Sequence, residues 1–313
     1  MVMEARPGWM RRLKIRHLEV FMALVESGSQ SVTAMQLNVT QPALSKWLRE
    51  LEQDMECPLF ERGRPLRLTV YGQVVLRYAQ RVLGDSFRMA NELETLRAGS
   101  SGRVRVGVLP TVAATLVPRV IAQCRRQALH VQITVHEESL DNLLPKLERH
   151  ELDCIVGRLQ AEALNADVFS EALYDEPVCA VVRAGHPLLR QKRVTWRDVA
   201  AYSWILPLPG TPMRVRIEAE FAAAHLPLPA DPIESVSLLT NEKLLQETDM
   251  VSAVSKQLAE HYAGKGSLAI LPLEMRHALG PVGLLWVDAN PTAALAHFLD
   301  AVRAEARACA NAG

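Results

Sequence analysis

Val39-Thr40-Gln41-Pro42-Ala43-Leu44-Ser45-Lys46 reads as the opening of a helix. Thr40 is a residue type that caps helix N-termini, and Pro42 falls in the first turn, where a missing N–H costs nothing. Continuing through Glu52, Leu44, Leu48 and Leu51 fall on one face. Gln41, Ser45, Lys46 and Arg49 fall on the other. Upstream, Leu18, Phe21, Met22 and Val25 give Ile15–Ser27 an apolar stripe, Gly28 stops it, and Ser29 is positioned to cap a short helix over Gln30–Leu37. Asn38-Val39 is a tight turn between that helix and the next. A helix, a turn and a second helix with polar and basic residues at its start is the arrangement that reads a DNA major groove. There Gln pairs with adenine, and Lys or Arg with guanine or phosphate.

Downstream, Pro58-Leu59-Phe60-Glu61-Arg62-Gly63-Arg64-Pro65-Leu66-Arg67-Leu68-Thr69 sets three arginines on a Gly/Pro turn between apolar residues. That suits a two-stranded wing beside phosphates or a minor groove. Thr69 then caps a long helix over residues 70–97. Its apolar and small positions Val75, Tyr78, Ala79, Val82, Leu83, Ser86, Met89, Ala90, Leu93 and Leu96 alternate in steps near three and four. A seam this long on a helix leaving a small head predicts pairing with a second copy. Gly99-Ser100-Ser101-Gly102 is a flexible joint.

From Arg103 the pattern changes. Apolar runs Arg103–Leu109, Val131–His136, Cys154–Gly157 and Val178–Val182 alternate with helical segments, which predicts mostly parallel sheets covered on both faces. The 313 residues, 49% apolar and 22% charged, are enough for two or three cores. Lys plus Arg and Asp plus Glu balance at 35 each, so any basic footprint is local. No run is long enough to span a membrane, residues 1–16 lack the apolar core of a secretory signal, and Met10 offers an alternative start. Five cysteines without CxxC spacing indicate reduced thiols, hence the cytoplasm. The nine histidines make no HExxH or other metal-ligand spacing, and neither a nucleophile elbow nor a phosphate loop is present. The sequence therefore predicts no enzyme, no metal and no cofactor.

The run Val39–Lys46, then Leu51-Glu52, Pro58–Arg62, Leu68-Thr69 and Gly72, resembles the LysR-type transcriptional regulators. The resemblance extends more loosely through Leu109–Val112, Val156–Leu159, Val182–Leu188 and Gly280–Leu284, nearest the branch of protocatechuate-pathway and galactose-binding-protein regulators. It implies an α-helical winged helix-turn-helix head with a long linker helix. Behind these it implies an α/β two-lobed effector domain resembling type 2 periplasmic binding proteins. The expected bounds are a flexible extension at 1–14, the head at 15–72, the linker helix at 73–98 and a hinge at 99–102. The effector domain follows at 103–313, with lobe I about 103–176 and 276–313 and lobe II about 177–275.

The implied partners are double-stranded promoter DNA, a small-molecule carboxylate or sugar, a second copy through the linker helix, a homotetramer and RNA polymerase. Thr40, Gln41, Pro42, Ser45, Lys46, Arg49 and Arg62 would face DNA, and Arg64 would enter the minor groove. A ligand between lobes meets strand ends and helix N-termini, whose free N–H groups favour anions. Thr111, Ser139, Arg158, Thr211, Arg214 and Ser237 are the expected contacts. The chain departs from the family pattern at Gln30 (usually aromatic or apolar), Thr33 (usually Ala), a wing one residue short, and Leu140 (often Ser or Thr). The alternative is a ligand-independent architectural DNA binder whose α/β half only oligomerises.

Overall fold

The computed structural model describes residues 8–61, 63, 65–98, 102–127, 131–160, 168–276 and 279–311. One compact unit runs to Ala98, and a larger one holds the bulk of Gly99–Gly313.

In the first unit, helices α1 (Ile15–Ser27), α2 (Gln30–Gln36) and α3 (Gln41–Met55) surround Leu18, Phe21, Leu24, Leu44, Leu48 and Leu51. Gly28 ends α1 at φ 61°, its N–H returning to the Leu24 carbonyl. Ser29 precedes α2 without a side-chain cap, whereas Thr40 Oγ1 accepts from the Ala43 N–H at the start of α3. The two departures inside the head form polar contacts. Thr33 is fully buried, 2.6 Å from Ser27 Oγ and 3.0 Å from the Ser29 carbonyl. Gln30 Oε1 accepts from Ser45 Oγ at 2.7 Å, joining α2 to α3.

Glu52 sets the start of the wing, its carboxylate accepting from the N–H groups of Leu59 and Phe60. Phe60 then pairs antiparallel with Leu68. Thr69 Oγ1 caps the next helix, α4 (Val70–Ala98), by accepting from the Gly72 N–H. A Cβ on Gly72 would lie 2.1 Å from the Leu59 carbonyl oxygen, so only glycine lets helix and wing meet.

Two expectations are corrected here. Residues 8–14 are not a floppy extension: Gly8–Arg11 is a 3-10 turn, and Arg12 reaches Asp54 at 2.7 Å. The even seam expected along the linker divides between two faces of α4. Val75, Ala79, Val82 and Leu83 pack into the head core, so a boundary at residue 72 cuts through that core. Tyr71, Val74, Tyr78, Met89 and Leu93 are left exposed along a neighbouring face.

The second unit holds two sheets. β1 (Arg103–Val108), β2 (Gln132–Glu137), β3 (Cys154–Arg158), β4 (Phe169–Tyr174) and β10 (Val282–Trp286) form the first, in the order β2-β1-β3-β10-β4. β1 runs parallel to β2 and β3, and β10 runs antiparallel to its neighbours. Helices α6 (Leu116–Arg126) and α12 (Ala293–Asn311) supply Leu116, Val120, Leu295, Phe298 and Val302 to one face. Helix α7 (Leu140–Glu148) supplies Leu143 and Leu147 to another cluster. Leu140, the departure from the family's polar residue, is buried there.

The second sheet comprises β5 (Val178–Arg183), β6 (Trp204–Leu206), β7 (Ile233–Glu234), β8 (Val251–Ser255) and β9 (Leu268–Ile270), in the order β7-β6-β8-β5-β9. Helix α8 (Trp196–Ala200) and helix α9 (Pro212–Ala223) pack Val199, Ile217 and Phe221 beside Trp204. Helix α10 (Leu238–Glu247) and helix α11 (Lys256–Gly264) supply Leu245, Leu258 and Tyr262 to the other core cluster. The chain passes between the sheets twice, at 175–177 and again between Ile270 and Val282.

Candidate nucleic-acid interface and ligand cleft

On α3, Thr40, Gln41, Pro42, Lys46 and Arg49 are exposed, and Ser45 is half-buried. They occupy the face opposite the buried leucines, as helical spacing requires. Gln41 Oε1 accepts from Ser31 Oγ, Arg49 Nε donates to the Ser45 carbonyl, and Lys46 lies 3.8 Å from Glu50. Arg62 and Arg64 lie outside the described residues. Their neighbour Gly63 has φ 152°, and the N–H of Glu61 donates to the Arg67 carbonyl across the base of the wing. The exposed polar start of a helix standing beside a wing is a surface shaped for a nucleic-acid groove.

The cleft residues sort by strand ends. Thr111 follows β1 in the short helix α5 (Pro110–Ala113), Ser139 follows β2, and Arg158 ends β3. Thr211 follows β6, and Ser237 follows β7, as the N-caps of α9 and α10. Both sets sit at C-terminal ends of parallel strands, the edge at which α/β sheets take ligands. The two edges adjoin at the crossings. Arg158 donates to the carbonyls of Glu176, in one crossing, and Gly280, in the other. The Glu176 carboxylate accepts from the Gln257 N–H just beyond β8.

This placement revises two assignments. Arg158 is buried and its terminal nitrogens are committed to the crossings, so it staples the hinge. Burial pulls its guanidinium below the usual value, with Glu176 acting the other way. Arg214 is likewise committed. It donates to Glu218 at 2.6 Å, Glu234 at 3.0 Å and the Pro207 carbonyl, and two carboxylates on one guanidinium leave no positive charge for an anion. Thr211 Oγ1 donates to the Leu208 carbonyl, and Ser237 Oγ accepts from the Thr240 N–H. Ser139 is exposed.

Thr111 differs from these. Its Oγ1 is buried without a hydrogen-bond partner, as are Arg158 Nε, Arg216 Nε and Nη1, and Ser255 Oγ. Sequence reasoning missed Arg216 and Ser255. Arg216 lies in the middle of α9 and faces inward, close enough to Arg158 to depress its pKa further. Its visible partner is Glu220, at 3.4 Å and also buried. The available signal was the i, i+4 spacing of Arg216 and Glu220, which reads equally well as an exposed helix pair.

Burial pushes all five thiols above their ordinary values, with Cys154 highest, so none is a ready thiolate. His186 is structural: Nδ1 accepts from the Leu188 N–H, and Nε2 faces the Asp249 carbonyl. Among the described residues no group of three or more His, Cys, Asp or Glu is placed to hold a metal ion, and no helix is long and apolar enough to cross a membrane.

Two family models match. Residues 15–73 match the bacterial regulatory helix-turn-helix protein model of the lysR family, and residues 97–307 match the LysR substrate binding domain. The chain is 35% identical to the HTH-type transcriptional regulator GbpR of Azospirillum brasilense, over 90% of this chain and 82% of that protein. It is 34% identical to the HTH-type transcriptional regulator PcaQ of Agrobacterium fabrum, over 94% of this chain and 95% of the relative. A full-length cysteine-to-aspartate variant of OxyR from Pseudomonas aeruginosa has a similar structure, with a TM-score of 0.61 at 25% identity, covering 93% of this chain and 95% of that one. CbnR complexed with its target DNA shares the fold at a TM-score of 0.59 and 18% identity, covering 94% of this chain and all (100%) of that one.

Proposed function

Because the chain belongs to the LysR family of DNA-binding transcriptional regulators, we propose that α3 reads a promoter dyad and that a small carboxylate held between the lobes controls the reading. The observation that carries the ligand class is the set of unpaired buried donors at the inter-lobe edge: Thr111 Oγ1, Arg216 Nε and Nη1, and Ser255 Oγ. A buried N–H or hydroxyl without a partner costs free energy, which a carboxylate accepting from it recovers. Glu220 and Glu176 balance the charges of Arg216 and Arg158, so the unpaired donors rather than net charge favour a single carboxylate group on a small molecule. In this reading a sugar is the weaker fit, since a neutral hydroxyl accepts more weakly than a carboxylate from the unpaired guanidinium N–H groups of Arg216.

At the head, Gln41 addresses base edges while Thr40, Pro42, Ser45, Lys46 and Arg49 meet bases or backbone, with Arg62 and Arg64 on the wing. Two copies pair through the exposed face of α4, setting two recognition helices on one side of an interrupted inverted repeat. Association of two such dimers gives a tetramer that bends the promoter where RNA polymerase binds. Ligand binding changes the preferred lobe arrangement, and its effect equals its preference for one arrangement over the other. The ligand-independent architectural reading is not favoured, because residues 97–307 match a substrate-binding domain.

The test is a thermal-shift screen of the full chain against aromatic acids, their ring-cleavage products, keto acids and sugars. A ligand at about 100-fold over its Kd adds roughly 2.7 kcal/mol, a shift on the order of 5–10 °C for a domain of this size. The expected result is a shift by one carboxylate class that Thr111→Val removes while DNA binding persists. A shift confined to sugars, or one that survives Thr111→Val, sinks the assignment.

A further inference from the structure

Helix α2 reaches the outward face of α3 through its first two residues. Ser31 Oγ donates to Gln41 Oε1 at 3.3 Å, and Gln30 Oε1 accepts from Ser45 Oγ at 2.7 Å. Gln41 and Ser45 stand four residues apart, one turn along the same side of α3. The two bonds therefore join neighbours on α2 to neighbours on α3. The helices that carry them are held firmly. Thr33 and Ala34 are buried and fix α2 to the head core. Asn38 turns the chain at φ 53°, and the Val39 N–H returns to the Ala34 carbonyl at 2.9 Å.

Each bond decides what its partner on α3 can offer to a base. A glutamine amide is planar, with an acceptor oxygen on one side and a donor nitrogen on the other. With Oε1 turned back to Ser31, the Nε2 side leads, and Gln41 presents N–H donors. Bidentate pairing with adenine needs Oε1 and Nε2 side by side at the base edge, and Ser31 draws Oε1 away from it. Guanine suits the donor side alone, because its N7 and O6 are both acceptors in the major groove. Ser45 gives its one hydroxyl proton to Gln30, so it is left with lone pairs to offer.

We propose that Ser31 is a specificity-determining residue: by holding Oε1 of Gln41 it makes α3 read guanine where an untethered glutamine would read adenine. It is a positioning residue that acts through Gln41 and does not touch the base. Gln30 acts in the same way on Ser45, so the start of α2 sets the donor and acceptor pattern of both side chains. This rests on the reading of Gln41 as a base reader given above.

The experiment selects duplexes from a random library with the full chain and compares base preferences at each operator position. Wild type, Ser31→Ala, Ser31→Thr, Gln41→Ala and the Ser31→Ala, Gln41→Ala double variant are run side by side. The position that loses its preference in Gln41→Ala is the one that Gln41 reads. The proposal expects guanine there for the wild type, and a fall in the guanine-to-adenine ratio of about fivefold or more for Ser31→Ala. Ser31→Thr keeps the hydroxyl and should keep the wild-type ratio. Without Gln41, Ser31→Ala should change nothing further. A wild-type preference for any other base, or an unchanged ratio in Ser31→Ala, overturns the role of Ser31 and leaves Gln41 as a base reader. A Ser31→Ala effect that persists without Gln41 places Ser31 on the DNA itself and overturns the indirect route. If Gln41→Ala alters no preference at any position, the reading of Gln41 falls and the proposal with it.

Discussion

Helices α3 and α9 begin alike and end as opposites. Each follows a threonine in extended backbone, Thr40 or Thr211, and each has proline in its first turn. In α3 the leucines turn inward, and Gln41, Lys46 and Arg49 turn out. In α9 the charged Arg214, Arg216 and Glu220 are buried, while Val215 is 53% exposed. The difference follows from what each helix packs against. α3 covers an apolar core and leaves its polar side chains for a partner. α9 turns part of its inner face toward the inter-lobe crossings, where Glu220 accepts from the backbone N–H of Arg276. On these two helices, polar side chains face outward in the head and charged ones face inward in the sensor domain.

The sharpest way to break this contrast is to remove one inward charge. Arg216→Ala removes the buried cation beside Glu220, and losses of this type cost roughly 3–5 kcal/mol. Chemical denaturation of the full chain should show a loss of about 3 kcal/mol. Arg216→Met with Glu220→Leu should recover part of it, because replacing both charges removes their desolvation penalty while the Arg276 N–H loses its acceptor. A loss under ~1 kcal/mol in the single variant would make the pair a solvated one, and α9 an ordinary amphipathic helix.

The outward side predicts the reverse signature. Gln41→Ala should leave stability within about 0.5 kcal/mol, as at other exposed positions. It should weaken binding to the specific dyad by roughly 1–3 kcal/mol while non-specific DNA binding persists. Titration of the operator and a scrambled duplex at one salt concentration separates the two. Equal losses on both would show that Gln41 touches backbone rather than bases.

Legibility followed the same division. The three head helices, Thr40 as cap and the outward set of α3 could be read from spacing, because an apolar core sorts side chains by a simple rule. The alternation of strands and helices in the sensor domain was legible for the same reason. Spacing could not assign the faces of α4. Val75 and Val82 look like seam residues in sequence, and only the position of α1 shows that they belong to the head core. The turn at Gly8–Arg11 escaped too, since its docking depends on a lone Arg12–Asp54 contact and a tryptophan without periodicity. Within the cleft, an arginine at a strand end reads alike whether it binds a ligand or staples a hinge. Arg158 and Arg214 were separated from that role only by their partners in three dimensions.

Thr33 tests whether a buried polar group inside the apolar head is supported. Its hydroxyl stands where the family usually carries alanine, and Ser27 and the Ser29 carbonyl complete its hydrogen bonding. Thr33→Val keeps the shape, removes the hydroxyl and takes a partner from Ser27. The expected cost is about 1–2 kcal/mol by denaturation. Double replacement with Ser27→Ala should cost less than the sum of the two single changes, because both partners of the bond are then gone. Strict additivity would mean the two hydroxyls do not interact.

The smallest effect lies where the two kinds of polarity meet. Gln30 is half-buried at the start of α2, and its Oε1 accepts from Ser45 Oγ at 2.7 Å. That bond takes Ser45 partly out of the set available to DNA, while the neighbouring Gln41 and Lys46 stay exposed. Gln30→Leu, a change toward the family's usual apolar residue, releases the Ser45 hydroxyl at a stability cost of roughly 0.5–1 kcal/mol. If Ser45 then reaches a phosphate, affinity for both specific and scrambled duplexes rises together, since phosphate contacts position without specifying. A cycle with Ser45→Ala should show a coupling of about 1 kcal/mol in stability, and the gain in DNA affinity should vanish in the double variant. Zero coupling would mean that α2 does not hold α3 through this bond. A gain in DNA affinity that persists without the serine hydroxyl would place its origin in the leucine itself.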